Sequence, residues 1–498
     1  MSQRPLFLPL NRSPPVSFIL SQRVDLLVAQ TRLARPVSPH HDRREVSEQS
    51  PAPANDSSLP AGLGPLYWFS ALNALSFQPV LGSAMVLYAK SLGASATVLG
   101  LLAGMMPLLV ITQLPAAKFI DRVGYRAFIL RGWSARVVII FLIAAVPLTG
   151  GFLDATTRLV LLLALLLVFN TLRGVSSCAW LPWITELIPP AARGRHFARD
   201  QVFGNGASLL SFAMAGAVLG ADAKPLQFAG VFLFAAVAGA ISLPLLLRVP
   251  DPAPPKNSES GKGPVPWLAI ASHPPFRRLL EVNAAWSLAF GGLTTFIVKY
   301  LKDGAGLPSD LILYFMSVSF IGGIATPWLA GPRLDRLGSK PMLGFTMGVG
   351  LVIAVGWMLA AGGAVLPGWG YALPLMVLLG LVNSLFSAAN TRLAMNIVPT
   401  MGRNHFFALF MVVWQITLGL SPVLWGLVLD GIGDHESTAL GLNWNRYSLF
   451  FGLVGLAFIG AFVLCRRLEE NTASGVQTLV RELLVDEPRR WWSLMTGR

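Results

Sequence analysis

About twelve stretches of this chain run for roughly twenty residues with almost no charge, and they restrict the fold more than any other feature. The clearest, Leu159 to Leu172, holds no charged side chain at all. An α-helix rises about 1.5 Å per residue, so about 20 apolar residues are needed to cross the hydrocarbon core of a bilayer. The stretches that meet this length are 66–88, 95–116, 127–149, 159–181, 198–220, 226–247, 279–300, 310–331, 341–362, 372–394, 405–429 and 447–466. Prolines inside them, such as Pro79, Pro107, Pro115, Pro327 and Pro422, do not break the reading, because membrane helices tolerate proline. Only 12% of the residues are charged, about half the roughly 25% of a soluble domain. That excludes a single soluble globule, and 54% hydrophobic residues exclude a disordered chain. An all-α membrane protein of twelve spans remains.

An even number of spans places both termini on one side. The net charge of +14 would point to nucleic acid in a soluble protein, but in a membrane protein its distribution decides the topology. Of 38 Lys and Arg residues, 30 fall on the side of the termini. Six fall on the other side: Lys90, Arg158, Lys224, Lys299, Lys302 and Arg446. Arg136 and Arg173 lie inside spans. The positive-inside rule therefore predicts cytoplasmic termini, no nucleic-acid partner, and the lipid bilayer as surroundings. A multi-pass protein of a bacterial inner (plasma) membrane is expected, with an organelle membrane as the alternative. The two cysteines, Cys178 and Cys465, fall near helix ends on the terminal side and predict no disulfide framework.

The polar segments divide the chain. Residues 1–64 are rich in Arg, Pro and Ser and are expected to be a disordered cytoplasmic tail. Five arginines and one acid, Asp25, in the first 40 residues also fit a transit peptide or an upstream mis-assigned start. Residues 248–278, with Pro250, Pro252, Pro254 and Pro255, read as a cytoplasmic linker. It separates a six-helix bundle at 65–247 from a second at 279–467, and 468–498 form a second cytoplasmic tail.

The halves resemble each other. Asp121-Arg122-Val123-Gly124-Tyr125-Arg126 follows span two, and Asp335-Arg336-Leu337-Gly338-Ser339-Lys340 follows span eight, 214 residues later. Pro190 and His196 precede span five as Pro399 and His405 precede span eleven, at a spacing of 209. Any short cytoplasmic loop tends to be basic, but that does not account for Asp, Arg and Gly recurring in register. On these residues the chain resembles the major facilitator superfamily, whose members carry Gly-x-Leu-Ala-Asp-Arg-x-Gly-Arg-Lys between helices two and three and a weaker copy between eight and nine. Asp121, Arg122, Gly124 and Arg126 match the first copy, where Ala117 replaces the first glycine. Gly331, Asp335, Arg336, Gly338 and Lys340 match the second. The resemblance covers about 65–467 and implies two six-helix bundles, a central cavity and rocking-type alternating access. It also implies that the loop motif is a conformational latch between bundles and not a substrate site.

Polar groups inside a span are costly and face the protein interior. Near the middle of their spans lie Gln78, Arg136, Asn170, Asn205, Asn383 and Gln415. Asn170 and Asn383 differ by 213 and Asn205 and Gln415 by 210, both within the repeat range. With Trp286 and Trp414 nearby, the amides could bind the hydroxyls of a sugar-like solute, an indole packing against its apolar face. Alternatively each amide holds helices together, for about 0.6–2 kcal/mol. A central arginine costs about 2.5–3.5 kcal/mol to insert and calls for a partner. Arg173 resembles in position an arginine in span four of proton-coupled drug exporters, where Gln-Gly follows; here Ser176 and Ser177 stand in those places. Anion or proton-linked binding and, on the other hand, snorkelling or pairing with Asp200 both fit it. Arg136, on a span that is peripheral in the family, is expected to be structural.

No Asp or Glu lies near the middle of any span, which argues against proton coupling through a midplane carboxylate. Span five also lacks the Gly-Pro of proton-driven exporters. No nucleotide-binding loop or hydrolase motif is present, so no enzyme activity, metal or cofactor is expected. The sequence thus points to a monomeric secondary or facilitative transporter of a small polar organic solute, sugar-like by preference. An efflux carrier for amphipathic compounds and a transporter-like assembly or pigment-handling factor are the alternatives.

Overall fold

The computed structural model describes residues 63–470 apart from 117–118, 189–192, 252–266, 398–402, 435 and 440. The N-terminal tail, most of the linker, and the C-terminal tail beyond residue 470 lie outside the described residues, as do Ala117, Pro190 and Pro399. So do the side chains of Asp121, Asp335, Arg336 and His405 and the surroundings of Gly331.

Twelve helical spans are present. Eleven are long and apolar enough to cross a membrane. The exception is span two, expected as one helix over 95–116. It runs as Ala96–Leu108, tightens into a 3₁₀ turn over Leu109–Thr112, and resumes as Gln113–Ala116. Pro107 and Pro115 each lack a backbone donor, which interrupts the regular ladder. Span one divides in the same way: Gly64–Leu81 gives way at Gly82 to Ser83–Ser91, after Pro79. Span three is Tyr125–Ala145, span four Ala155–Ser177, span five Arg193–Leu219 and span six Pro225–Leu246. In the second half, span seven is Pro274–Phe290 and Leu293–Lys299, closed by a π turn at Tyr300–Gly304. Spans eight to twelve are Ser309–Leu337, Ser339–Ala361, Trp369–Ile397, Arg403–Ile432 and Arg446–Arg466.

Side-chain caps start several spans on the side away from the termini. Ser95 accepts from the Val98 amide at 3.3 Å, Asp154 from Thr156 and Thr157 at 3.0 and 3.2 Å, and Asn445 from Tyr447 and Ser448 at 2.9 and 3.0 Å. Each satisfies amides that a helix leaves open in its first turn. The Thr157 hydroxyl and amide hold the Asp154 carboxyl below its usual range. The fold is not wholly α-helical: an exposed hairpin, Ser437–Ala439 with Leu442–Trp444, joins spans eleven and twelve, and Asn443 donates to the Gly362 carbonyl at 3.0 Å.

Within each half, span six packs on spans one and three, and span twelve on spans seven and nine. Spans seven and ten share a fully buried amide pair. Asn283 donates to Asn390 at 3.0 Å and Asn390 returns a bond at 2.6 Å. Asn283→Leu alone strands the Asn390 amide and is expected to cost about 1–3 kcal/mol. The double change to leucine should recover most of that loss, measured as the unfolding midpoint in detergent.

The halves meet along spans two and eleven and along spans five and eight. Hydrogen bonds between them gather at the end opposite the termini. Asp430 of span eleven accepts from the amides of Ala96 and Thr97 at 3.0 and 2.8 Å and from the Thr97 hydroxyl at 2.7 Å. Asp310 donates its amide to the Gly220 carbonyl at 3.1 Å. Lys90 of span one pairs with Asp303 of span seven at 3.0 Å, and Lys299 reaches the same carboxylate at 2.8 Å.

Candidate functional site

A cavity of about 340 Å³ lies in the N-terminal half, between spans one, three, four and five. Its walls come from the parts of those helices nearer the termini.

Span one contributes Asn73 and Gln78. Gln78 donates to the Ser208 hydroxyl of span five at 2.9 Å, and Ser208 in turn donates to the Gly204 carbonyl at 2.8 Å. That bond takes one hydrogen of the Gln78 amide, which has a second donor and a carbonyl besides. Asn205, one residue on from Gly204, lines the cavity too, and its amide nitrogen is buried with no acceptor. Asp200, nearer the start of span five, has one buried carboxylate oxygen that accepts nothing.

Two arginines line the same cavity, Arg136 of span three and Arg173 of span four. Arg136 is only 5% exposed. Its guanidinium lies 5.4 Å from the Trp133 ring and 5.2 Å from the Phe169 ring, and its Nε has no acceptor. The aromatic faces supply part of what a buried cation needs, but no carboxylate reaches either arginine within ion-pair distance among the described residues. The alternative that Arg173 is neutralised by Asp200 is therefore not met, although both face one space. Aromatic rings form the remaining wall: Phe69 stacks on Trp133 at 4.6 Å, and Trp180 lies 5.2 Å from Trp133. The Trp133 indole N–H is buried without an acceptor.

Of the eight residues expected along the pathway, Gln78, Arg173 and Asn205 line this cavity. Asn170 does not: it is 2% exposed and donates to the Leu166 carbonyl of its own helix at 2.9 Å. Its repeat counterpart Asn383 is exposed, so the two are not a matched pair. Trp286 is a core residue, 1% exposed and stacked on Phe386 at 3.9 Å. Trp414 and Gln415 are half-buried in span eleven, Trp414 against Phe410 at 5.7 Å, and neither reaches the cavity. Sequence reasoning missed Asn73, Trp133, Trp180, Asp200 and Gln201, and assigned Arg136 to structure alone. Trp133 and Arg136 stand three apart on span three and so share a helix face. That spacing could have marked the pair.

The loop motif has a clear local role. Gly124 and Gly338 have φ of +83° and +91°, a conformation open to glycine but strained for other residues. Each turn sets the next residues against an acid from the end of its own half. Arg126 donates its amide to Asp251 at 3.3 Å and pairs with it at 3.5 Å. Ser339 and Lys340 donate their amides to Glu470 at 3.0 and 2.7 Å. Arg126 and Lys340 therefore tie span three to span six and span nine to span twelve within their own bundles. Arg122 is exposed.

A family model described as Major Facilitator Superfamily matches residues 66–422. Among solved structures, a mutant of the nucleoside transporter NupG is similar at a TM-score of 0.64 and 12% identity, over 82% of this chain and 99% of that one. A D-xylose-proton symporter is similar at 0.62 and 16% identity, over 83% and 99%. A bacterial homologue of the iron transporter ferroportin, in an inward-facing state, is similar at 0.59 and 13% identity, over 81% and 97%. Among curated protein sequences none matches significantly.

Proposed function

Since the chain belongs to the major facilitator superfamily, we propose that it is a secondary or facilitative transporter that moves a small polar organic solute by alternating access. The solute docks in the cavity of the N-terminal half. The observation that carries this reading is a space of about 340 Å³ whose polar lining is not used up internally. Asn205 Nδ2, Asp200 Oδ1 and Arg136 Nε, on residues that line it, are closed off within its wall without a partner. Buried polar groups are normally paired, so these side chains gain partners if they turn toward a docked solute. The cavity's volume is at the small end of the roughly 300–1,000 Å³ of small-molecule pockets.

Two further observations support alternating access. Hydrogen bonds and an ion pair join the halves at the end away from the termini, through Asp430, Asp303 and the Gly220–Asp310 contact. With 30 basic residues on the terminal side, that side is cytoplasmic by the positive-inside rule, so the joined end is the outer one, which suits an inward-facing arrangement. The xylose symporter and the nucleoside transporter carry hydroxylated solutes of comparable size, which fits amide groups such as Gln78 and Asn73, although the likeness to them is one of fold.

The test is flux. Purified protein in liposomes, loaded in turn with the solutes that raise its melting temperature in a ligand panel, should exchange at least one of them by counterflow. Gln78→Ala is expected to raise the half-saturating concentration about three- to tenfold, the worth of one ordinary hydrogen bond, with the folded yield unchanged. A protein that binds no solute and exchanges none under any gradient would leave only the assembly-factor alternative.

A further inference from the structure

We infer that the cavity binds its solute by an anionic group, a carboxylate or a phosphate, held between Arg136 and Arg173. This deepens the reading above and rests on it. Arg136 and Arg173 line one cavity, and Asp200, the one carboxylate among its lining residues, makes no ion pair with either. The cavity therefore carries a surplus positive charge in the membrane interior, where unpaired charge is disfavoured. Arg136 cannot snorkel away: it is 5% exposed and enclosed by Trp133 and Phe169. Arg173 is half-buried, and its guanidinium makes no hydrogen bond or ion pair among the described residues.

An oxyanion between the two would balance the surplus charge and accept charge-assisted bonds from the planar forks, the geometry for which arginine is suited. A neutral sugar would do neither. The half-buried Trp180, beside Trp133 in the same wall, can pack on the apolar body of the same solute. The chemical class is thus a small hydroxylated organic anion, its charged group at spans three and four and its hydroxyls toward Gln78 and Asn205 on spans one and five.

The experiment uses the full-length protein in detergent and in liposomes, with four probes: gluconate, glucose 6-phosphate, inorganic phosphate and glucose. Binding is read from the fluorescence of the cavity tryptophans and from the melting temperature. At least one of the three anions is expected to bind ten times or more tightly than glucose; gluconate against glucose 6-phosphate separates carboxylate from phosphate, and inorganic phosphate alone separates the charged group from its sugar body. Arg173→Gln should remove that preference, whereas Arg173→Lys, which keeps the charge, should retain part of it. Arg136→Gln should act like Arg173→Gln, and Arg173 serves as the independent variant if Arg136→Gln fails to fold. The inference is overturned if no anion outbinds glucose, or if Arg173→Gln leaves anion binding as it was. Anion binding that depends on Arg173 without counterflow would instead overturn the transport reading and leave the anion site standing. Flux of glucose unaffected by Arg173→Gln would do the reverse.

Discussion

Gly100→Leu is expected to abolish transport and to hold the protein open on the side away from the termini. Span two crosses span eleven with almost no side chain between them. A Cβ at Gly100 would collide with the Pro422 carbonyl oxygen and sit 2.8 Å from the Pro422 carbonyl carbon and 3.1 Å from the Val423 Cα. All of these are backbone atoms, so no rotamer change relieves the clash. The same seam continues where Gly104 meets the Gly419 carbonyl and where Gly426 would place a Cβ 2.6 Å from the Ala96 carbonyl oxygen and 2.8 Å from the Thr97 Cα. Overpacking a well-packed contact costs about 1–3 kcal/mol, and more where backbone must move. The cost falls on the conformation in which these spans touch, while the alternate conformation escapes it, so at about 1.4 kcal/mol per factor of ten the equilibrium moves by one to two orders of magnitude. The measurement is thiol labelling of Thr97→Cys by a membrane-impermeant reagent, in a background without Cys178 and Cys465. Labelling from the side away from the termini should rise at least tenfold in Gly100→Leu. Gly230→Leu is the control, since a Cβ there meets nothing within 4 Å. Labelling and flux equal to the parent in Gly100→Leu would mean that this seam is not a closure that transport has to break.

The architecture was legible because its cause is one-dimensional. Hydrocarbon thickness sets span length, and leaflet charge sets the side on which Arg and Lys accumulate, so a walk along the sequence counted the spans and found the repeat at 214 residues. The structure's departures from it are local and follow from chain chemistry. Prolines divide spans one and two, and a hairpin outside the membrane carries residues that no hydropathy count could place. The site was legible only in part. Depth along a span picks out Gln78, Arg173 and Asn205, but depth does not say which way a residue faces. Asn170 and Trp286 lie at suitable depths and point into packing, Asn170 onto its own helix and Trp286 onto Phe386. Asp200 reads in sequence only as a partner for Arg173, yet it lines the cavity itself. The buried Asn283–Asn390 pair depends on two helices meeting 107 residues apart in sequence, which nothing in either segment announces.

Asp430→Ala is expected to act on the same closure from the electrostatic side, and its size can be set against that of the neighbouring ion pair. Asp430 reaches across the halves to the N-terminus of span two, where Ser95 already caps the Val98 amide and leaves those of Ala96 and Thr97 to the partner half. A carboxylate at a helix N-terminus gains from the helix dipole, and hydrogen bonds to a charged group are worth about 1.5–3 kcal/mol. With two amides and a hydroxyl on one side chain, a loss of about 2–3 kcal/mol from the closed conformation is expected, which is roughly 30- to 150-fold in the balance between conformations. Asp430→Asn keeps an acceptor and loses the charge, so it should fall between the parent and the alanine variant. Lys90→Ala should do less. The Lys90–Asp303 pair is about a quarter exposed, with side chains 27% and 25% accessible, and such pairs contribute about 0–1 kcal/mol; Lys299 also stays on Asp303 when Lys90 is gone. Hydrogen exchange of a peptide spanning Leu92–Leu101 reads the result directly, because the Ala96 and Thr97 amides lose their acceptor only when the halves part. The expected order of exchange rate is Asp430→Ala, then Asp430→Asn, then Lys90→Ala, then the parent. If Lys90→Ala were to exchange faster than Asp430→Ala, the closure would rest on the ion pair and not on the capped helix. Should all three match the parent, the end away from the termini would be held by the glycine seam alone, and Gly100→Leu would remain the one change that opens it.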